Sequence, residues 1–194
     1  MEIISAETRS QVVGRINAVM LCGLLAGLSH TCMALEPIPA AQAVAAVETR
    51  SGLTIAHEYA SPDNSLHAIE QSSGPGTEGR IDIRDKDTIL LSRSYVSSDR
   101  QHGFVLQHAE WTADSRFFVF SLSSSGGHQP WRFPVFVYSR RTNTLAALEK
   151  YAGPIAEPDF HLVAPDIIEV MRKENGAPPR QIRLKLGKLF SAKP

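Results

Sequence analysis

The sequence has almost no cysteine. Of its 194 residues only Cys22 and Cys32 carry a thiol, and the 160 residues from Leu35 onward contain none. A disulfide framework, a thiolate nucleophile and a cysteine-ligated zinc ion are therefore excluded for that part of the chain. A chain of this length buries about two-thirds of its surface on folding, so it does not depend on disulfides for stability.

The sequence also lacks an excess of charge of either sign. Twenty basic residues balance twenty acidic ones, and the composition is 43% hydrophobic and 21% charged. These values are ordinary for a globular protein and exclude a disordered or collagen-like chain. Without a basic surplus the protein has no overall field that attracts nucleic acid or an anionic membrane, so we expect no nucleic-acid partner. We also expect no cofactor.

The apolar run near the N-terminus is too short for a transmembrane helix. Residues 16–28 (INAVMLCGLLAGL) follow Arg9 and Arg15. As a helix they would rise about 20 Å, whereas the hydrocarbon core of a bilayer is about 30 Å thick. The small residues Cys32 and Ala34 follow, which predicts a secretory signal peptide over residues 1–34, cleaved after Ala34. An uncleaved anchor is the alternative. The mature protein is expected in the periplasm or outside the cell, without a stable membrane span.

Two further regions follow the predicted signal peptide. Residues 35–49 are rich in proline and alanine and predict a flexible tether. Residues 50–190 contain short runs of Val, Ile, Phe and Tyr between clusters of Gly, Pro, Asp, Asn and Ser, and they lack helical periodicity. This pattern predicts an all-β domain of antiparallel sheets. The predicted strands are 53–59, 66–71, 80–83, 88–95, 105–111, 117–122, 135–139, 144–148, 160–163, 167–172 and 182–186.

Hydrophobic patterning indicates where the core lies. Residues 80–84 (RIDIR) and 181–186 (QIRLKL) alternate, which is typical of strands with one wet face. Residues 117–120 (FFVF) are continuously apolar, so we expect them to be buried on both faces at the centre of the core. The side chains expected in or near the core are Trp111, Phe118, Phe120, Val135 and Val137.

A polar turn with a central aspartate recurs about every fifty residues. The pattern occurs at 61–69 (SPDNSLHAI), 112–120 (TADSRFFVF) and, more weakly, 164–170 (APDIIEV). Asp63, Asp114 and Asp166 are 51 and 52 residues apart, and each turn leads into an apolar strand. A second strand trails each turn, at 81–83, 135–138 and 182–184. We expect each aspartate to accept backbone N–H bonds within its own turn.

One repeat resembles a known structural unit. Residues 110–121 (EWTADSRFFVFS), then Gly126 and Gly127, then 134–138 (PVFVY), resemble one blade of a TolB-like, WD-repeat-like β-propeller. That family's pattern has a Trp-Ser-Pro-Asp-Gly-like turn, and this chain departs from it at residues 112, 113 and 115. The resemblance implies a structural blade and no catalytic residue. Because a closed propeller needs about four to eight blades, we expect about three blade-like repeats that do not close within one chain.

The most unusual loop is at residues 123–131 (SSSGGHQPW). We predict a binding site formed by Gly126, Gly127, His128 and Trp131, because two glycines can expose backbone N–H groups as an anion nest beside the imidazole. Trp131 and Trp111 would add a flat contact surface. The alternative is a structural hairpin loop whose tryptophan packs on the sheet.

Catalytic or metal-binding arrangements have weaker support in the sequence. His102, His108 and His128 would have to meet to hold a metal, but none of the usual ligand spacings is present. A hydrolase would need Ser125, His128 and Asp114, and no Gly-x-Ser-x-Gly motif accompanies them. We therefore predict no catalytic residue and no metal site.

These features favour an exported, non-enzymatic β-repeat module that binds a protein or a small ligand through its loops. The alternative is an envelope hydrolase or metal-dependent enzyme with its site around His128. Unpaired edges of an open array would recruit partners unless they are blunted. The basic tail, with Arg183, Lys185 and Lys188, favours a capped monomer; a six-bladed homodimer is the second possibility.

Overall fold

The computed structural model describes residues 52–191. The predicted signal peptide (1–34) and tether (35–49) lie outside the described residues. Within 52–191 the chain forms eleven strands in three antiparallel sheets. No helix in this part of the chain is long and apolar enough to cross a membrane.

Each sheet is built from consecutive strands. The first contains β1 (Thr54–Ala60), β2 (His67–Ser72), β3 (Gly79–Asp85) and β4 (Thr88–Ser94). The second contains β5 (Phe104–Trp111), β6 (Phe117–Ser124), β7 (Val135–Ser139) and β8 (Thr144–Ala147). The third contains β9 (Ile155–Val163), β10 (Ile167–Glu174) and β11 (Ala177–Lys185).

The sequence predicted all of these strands, with differences at their ends. β7 has its predicted bounds, whereas β9 and β11 each begin five residues earlier than expected, at Ile155 and Ala177. The added segments are polar and proline-containing, so they lack apolar alternation. They extend the strands because their neighbours supply backbone pairing, as between Arg172 and Ile155.

Two short helical elements complete the described part of the chain. Helix α1 (Glu149–Ala152) follows β8, and a 3₁₀ helix (Leu186–Phe190) follows β11. The prediction placed residue 186 in the last strand. That strand stops at Lys185 because the backbone turns there, which buries Leu186 and Leu189 against the second and third sheets.

The three sheets are the predicted repeats. In each, the strand after the aspartate turn (β2, β6 or β10) pairs antiparallel with the trailing strand (β3, β7 or β11). The first two repeats have four strands and the third has three. The fold class is therefore confirmed as all-β, with three blade-like repeats that are too few for a closed propeller.

The first two aspartate turns have the predicted hydrogen bonds. The Asp63 carboxylate accepts the Ser65 N–H at 3.2 Å, and the Asp114 carboxylate accepts the Arg116 N–H at 3.1 Å. The turns also touch each other, because the Ser115 hydroxyl accepts the Asp63 N–H at 3.1 Å. The aspartates thus stabilise both their turns and the contact between neighbouring sheets.

The third turn differs from the prediction. Asp166 is buried and its carboxylate faces the neighbouring sheet, where Arg116 lies 3.5 Å away. Its carbonyl accepts the Leu186 N–H at 2.8 Å. Because the 3₁₀ helix covers this turn, the carboxylate joins two repeats and does not close its own turn.

The second sheet is the middle layer, and β6 is buried on both faces as predicted. Phe117 and Val119 pack with the third sheet, while Phe118, Phe120 and Leu122 pack with the first. This follows from the alternation of side chains along a strand. All five residues expected in or near the core are buried: Trp111, Phe118, Phe120, Val135 and Val137.

Candidate functional site

The predicted binding loop lies at one end of the sheets, which we call the loop end. The loop end comprises the connections 73–78, 95–103, 125–134 and 175–176, together with α1. The opposite end, which we call the turn end, carries the three aspartate turns. Antiparallel pairing separates the two ends by the length of β6, whose eight residues span about 26 Å.

A buried carboxylate ties three of these loops together. Glu78 is 3% exposed. It accepts the backbone N–H of Gly103, the N–H and hydroxyl of Ser97, and the hydroxyl of Ser125. Burial alone would raise the pKa of Glu78, but these hydrogen bonds outweigh it and hold the pKa below its ordinary value.

The two adjacent glycines of the predicted site have different structural roles. Gly127 has a φ of 66°, in the left-handed region that glycine adopts without strain. Gly126 does not share that conformation. A Cβ at Gly126 would lie 2.0 Å from the carbonyl oxygen of Gln101, so glycine is needed there for close approach of two loops. The predicted anion nest therefore has one of the two left-handed glycines it was expected to use.

His128 lies against a second histidine. Its ring stacks on that of His102, with centroids 4.4 Å apart. The imidazole of His102 also pairs with Asp99, which the Gln101 N–H and the Ser97 hydroxyl contact as well. These contacts lower the pKa of Asp99. They fix the surface of this loop pair.

Trp131 projects from the loop end. It is 60% exposed, which decides against the alternative of a tryptophan packed on the sheet. Trp131 borders a cleft of about 470 Å³, of a size typical for ligand sites. The other lining residues are Arg132, Glu149, Pro154, Ile155, Lys173 and Asn175. The lining of the cleft thus combines aromatic and aliphatic side chains with charges of both signs.

Trp111 does not share this surface, which corrects the prediction of a paired contact face. It is 6% exposed and packs between the first and second sheets, with its ring 5.1 Å from that of Phe118. Its indole N–H donates to the carbonyl of Tyr59 at 2.8 Å. Trp111 is therefore a core residue, and Trp131 alone supplies the exposed indole.

The structure does not assemble the candidate metal and catalytic sets. His108 stacks on Phe160, away from the His102–His128 pair. Among residues 52–191 no three His, Cys, Asp or Glu side chains are grouped to hold a metal ion. Ser125 donates to Glu78, while Asp114 precedes β6 at the turn end. The serine and aspartate of the proposed triad therefore lie at opposite ends of one strand.

Sequence reasoning missed Glu78 and most of the cleft. Glu78 is a single acidic residue between the loop 73–77 and β3. No local sequence pattern distinguishes it from a glutamate that is exposed to solvent. Pro154 and Lys173 reach Trp131 only through the packing of the third sheet on the second. Contacts between residues so far apart in the chain leave no short-range signal.

Comparison with known proteins adds one distant likeness. No protein-family model matches the chain, and no curated protein matches it significantly. The crystal structure of TolB from Acinetobacter baumannii is similar in part, with 14% sequence identity and a TM-score of 0.30. The similarity covers 70% of this chain and 42% of that one, so the chain spans less than half of TolB. The assignment of three blade-like repeats rests on the strand pairing described above.

Proposed function

We propose that this protein is an exported, non-enzymatic β-repeat module that binds a protein or a small ligand through its loop end. The observation that carries the proposal is the exposed indole of Trp131 beside the cleft of about 470 Å³. Exposed large apolar side chains are few in residues 52–191: Ile55, Trp131 and Tyr151. Tryptophan at such a position is typical of residues that dominate binding energy.

The loop end also has the rigidity that a binding surface needs. Glu78 connects the loops that contain Ser97, Gly103 and Ser125 through a buried set of hydrogen bonds. The Arg132 guanidinium lies 3.7 Å from the Glu149 carboxylate and orients the segment after Trp131. A preformed surface loses little conformational entropy on binding, which favours affinity.

A photo-crosslinking experiment in the producing cell tests this proposal. The full-length chain carries a benzophenone amino acid at position 131, and a matched variant carries it at position 55. Ile55 is the control because its exposure, 61%, is close to the 60% of Trp131, while Ile55 does not line the cleft. We expect an adduct from position 131 only, and its loss when unlabelled wild-type protein competes but not when Trp131→Ala competes. Equal adducts from both positions would contradict the proposal.

The enzyme alternative has a separate test. If an activity is detected, His128→Ala and Asp114→Ala are compared with wild type for both turnover and ligand binding. Loss of turnover with binding retained would favour an enzyme with its site around His128. Under our proposal neither variant loses turnover while it retains ligand binding.

A further inference from the structure

A second cleft lies at the turn end, between the second and third sheets. Its volume is about 460 Å³, and the aspartate turns of these two sheets border it. The 3₁₀ helix forms one wall. The cleft is separate from the one at Trp131, because β7 runs from the loop end at Val135 to this cleft at Ser139.

The lining of this cleft is strongly cationic. Four basic side chains line it against one carboxylate: Arg116, Arg141, Lys185 and Lys188, with Asp166. The whole chain has no net charge, so this concentration is a local feature. Cationic groups that converge in a concave site raise the local concentration of anions.

The carboxylates nearby are already engaged by one of these cations. Arg116 lies 2.5 Å from Asp114 and 3.5 Å from Asp166. Within residues 52–191, no carboxylate lies within 4 Å of the charged groups of Arg141, Lys185 or Lys188. Three cations therefore face the cleft without a charge partner from the described part of the chain.

The base of the cleft is aromatic. The rings of Phe117 and Phe190 stack with centroids 5.8 Å apart, and the Arg116 guanidinium lies 5.6 Å from the centroid of Phe117. A ligand with a planar apolar part would contact these rings while its anionic part meets the cations. Arginine and lysine are the side chains that most often bind phosphate groups.

We propose that the turn-end cleft binds a small phosphate-bearing molecule, with Arg141, Lys185 and Lys188 contacting the phosphate groups and the Phe117–Phe190 pair contacting the apolar part. This site is independent of the function proposed for the loop end. It requires neither Trp131 nor the loops that Glu78 connects.

Calorimetric titration of the full-length protein with pyrophosphate and with ADP tests the proposal. The test variant is K185Q/K188Q, and the charge-matched control is K86Q/K150Q, whose lysines are exposed and do not line the cleft. We expect saturable binding of both probes, with tighter binding of ADP because its planar base reaches the phenyl rings. The test variant should bind about tenfold more weakly, while the control stays within about twofold of wild type.

Three results would overturn the proposal. The first is that neither pyrophosphate nor ADP binds saturably. The second is that the test variant and the control variant lose affinity equally. The third is binding to phosphatidylglycerol vesicles without binding of ADP, which would indicate a membrane surface in place of a small soluble ligand. Arg141→Gln provides a second test variant, and a circular dichroism spectrum confirms that each variant is folded.

Discussion

The buried carboxylate of Glu78 allows a quantitative test of how the loop end is held together. The substitution Glu78→Gln keeps the shape of the side chain but exchanges one acceptor oxygen for an NH₂ donor. The oxygen at Oε1 can still accept from Gly103 and Ser125, whereas the Ser97 N–H then faces a donor. Loss of one hydrogen bond to a charged, buried acceptor costs about 1.5–3 kcal/mol.

The pH dependence of this loss has a definite sign. Hydrogen bonds hold the pKa of Glu78 in the folded protein below its ordinary value of 4.5. A lowered carboxyl pKa contributes stability that is fully present above pH 4.5 and is lost as the pH falls through the folded value. The variant has no such titration, so the difference in unfolding free energy between wild type and Glu78→Gln should shrink in acid.

Urea denaturation at a series of pH values between about 7 and 3 measures this difference. Glu110→Gln is the control, because Glu110 is exposed on β5 and its side chain has no hydrogen bond or ion pair within residues 52–191. Its unfolding free energy should match that of wild type at every pH. A Glu78→Gln protein as stable as wild type at pH 7 would refute the reasoning, as would a difference that does not change with pH.

Three further predictions concern the core, the N-terminus and the assembly. Phe120→Ala should lower the free energy of unfolding by about 3–5 kcal/mol, because the ring is 1% exposed; Ile55→Ala, at an exposed residue, should change it by less than about 0.5 kcal/mol. The intact mass of protein from the producing cell should correspond to a chain that begins at Leu35, and a mass that retains residues 1–34 would indicate an anchor. Light scattering at micromolar concentration should give the mass of one mature chain, and twice that mass would indicate the six-bladed homodimer.

The strands and their grouping into three repeats were predictable because they depend on local periodicity. The unbroken apolar run of β6 indicated burial on both faces, and the fifty-residue spacing of the aspartate turns indicated repeats. Asp63 and Asp114 hold their turns through residues only two positions away, which a local pattern can show. Asp166 broke the pattern because its partner, Arg116, belongs to another repeat.

The candidate site was predictable only in part, for the same physical reason. The glycines and Trp131 indicated that residues 123–131 form an unusual loop, and Trp131 in this loop is exposed. Glycine is required at position 126 because the carbonyl oxygen of Gln101 lies too close for a Cβ. The cleft beside Trp131 is completed by Pro154 and Lys173 of a different repeat. Such contacts depend on how three sheets pack, which no short segment encodes.

The outer face of the third sheet bears on whether the three repeats close into a ring with a second copy. On the first sheet, Asp82 is fully buried and pairs with Arg80 and Arg84 at 3.3 and 3.2 Å, so this carboxylate has already lost its water. On the third sheet, by contrast, Glu169 lies on the face opposite the core and pairs at 2.9 Å with Arg183, whose side chain is 60% exposed.

A blade inside a closed propeller packs apolar side chains on both faces, as the middle sheet does here. The Glu169–Arg183 pair on the outer face of the third sheet would have to lose water to meet another sheet, and that desolvation opposes face-to-face association there. The edge strand β11 adds exposed Arg183 and Lys185, and charges of this kind blunt an edge against pairing. From these charges on the third sheet we expect the capped monomer in preference to a ring formed by two copies.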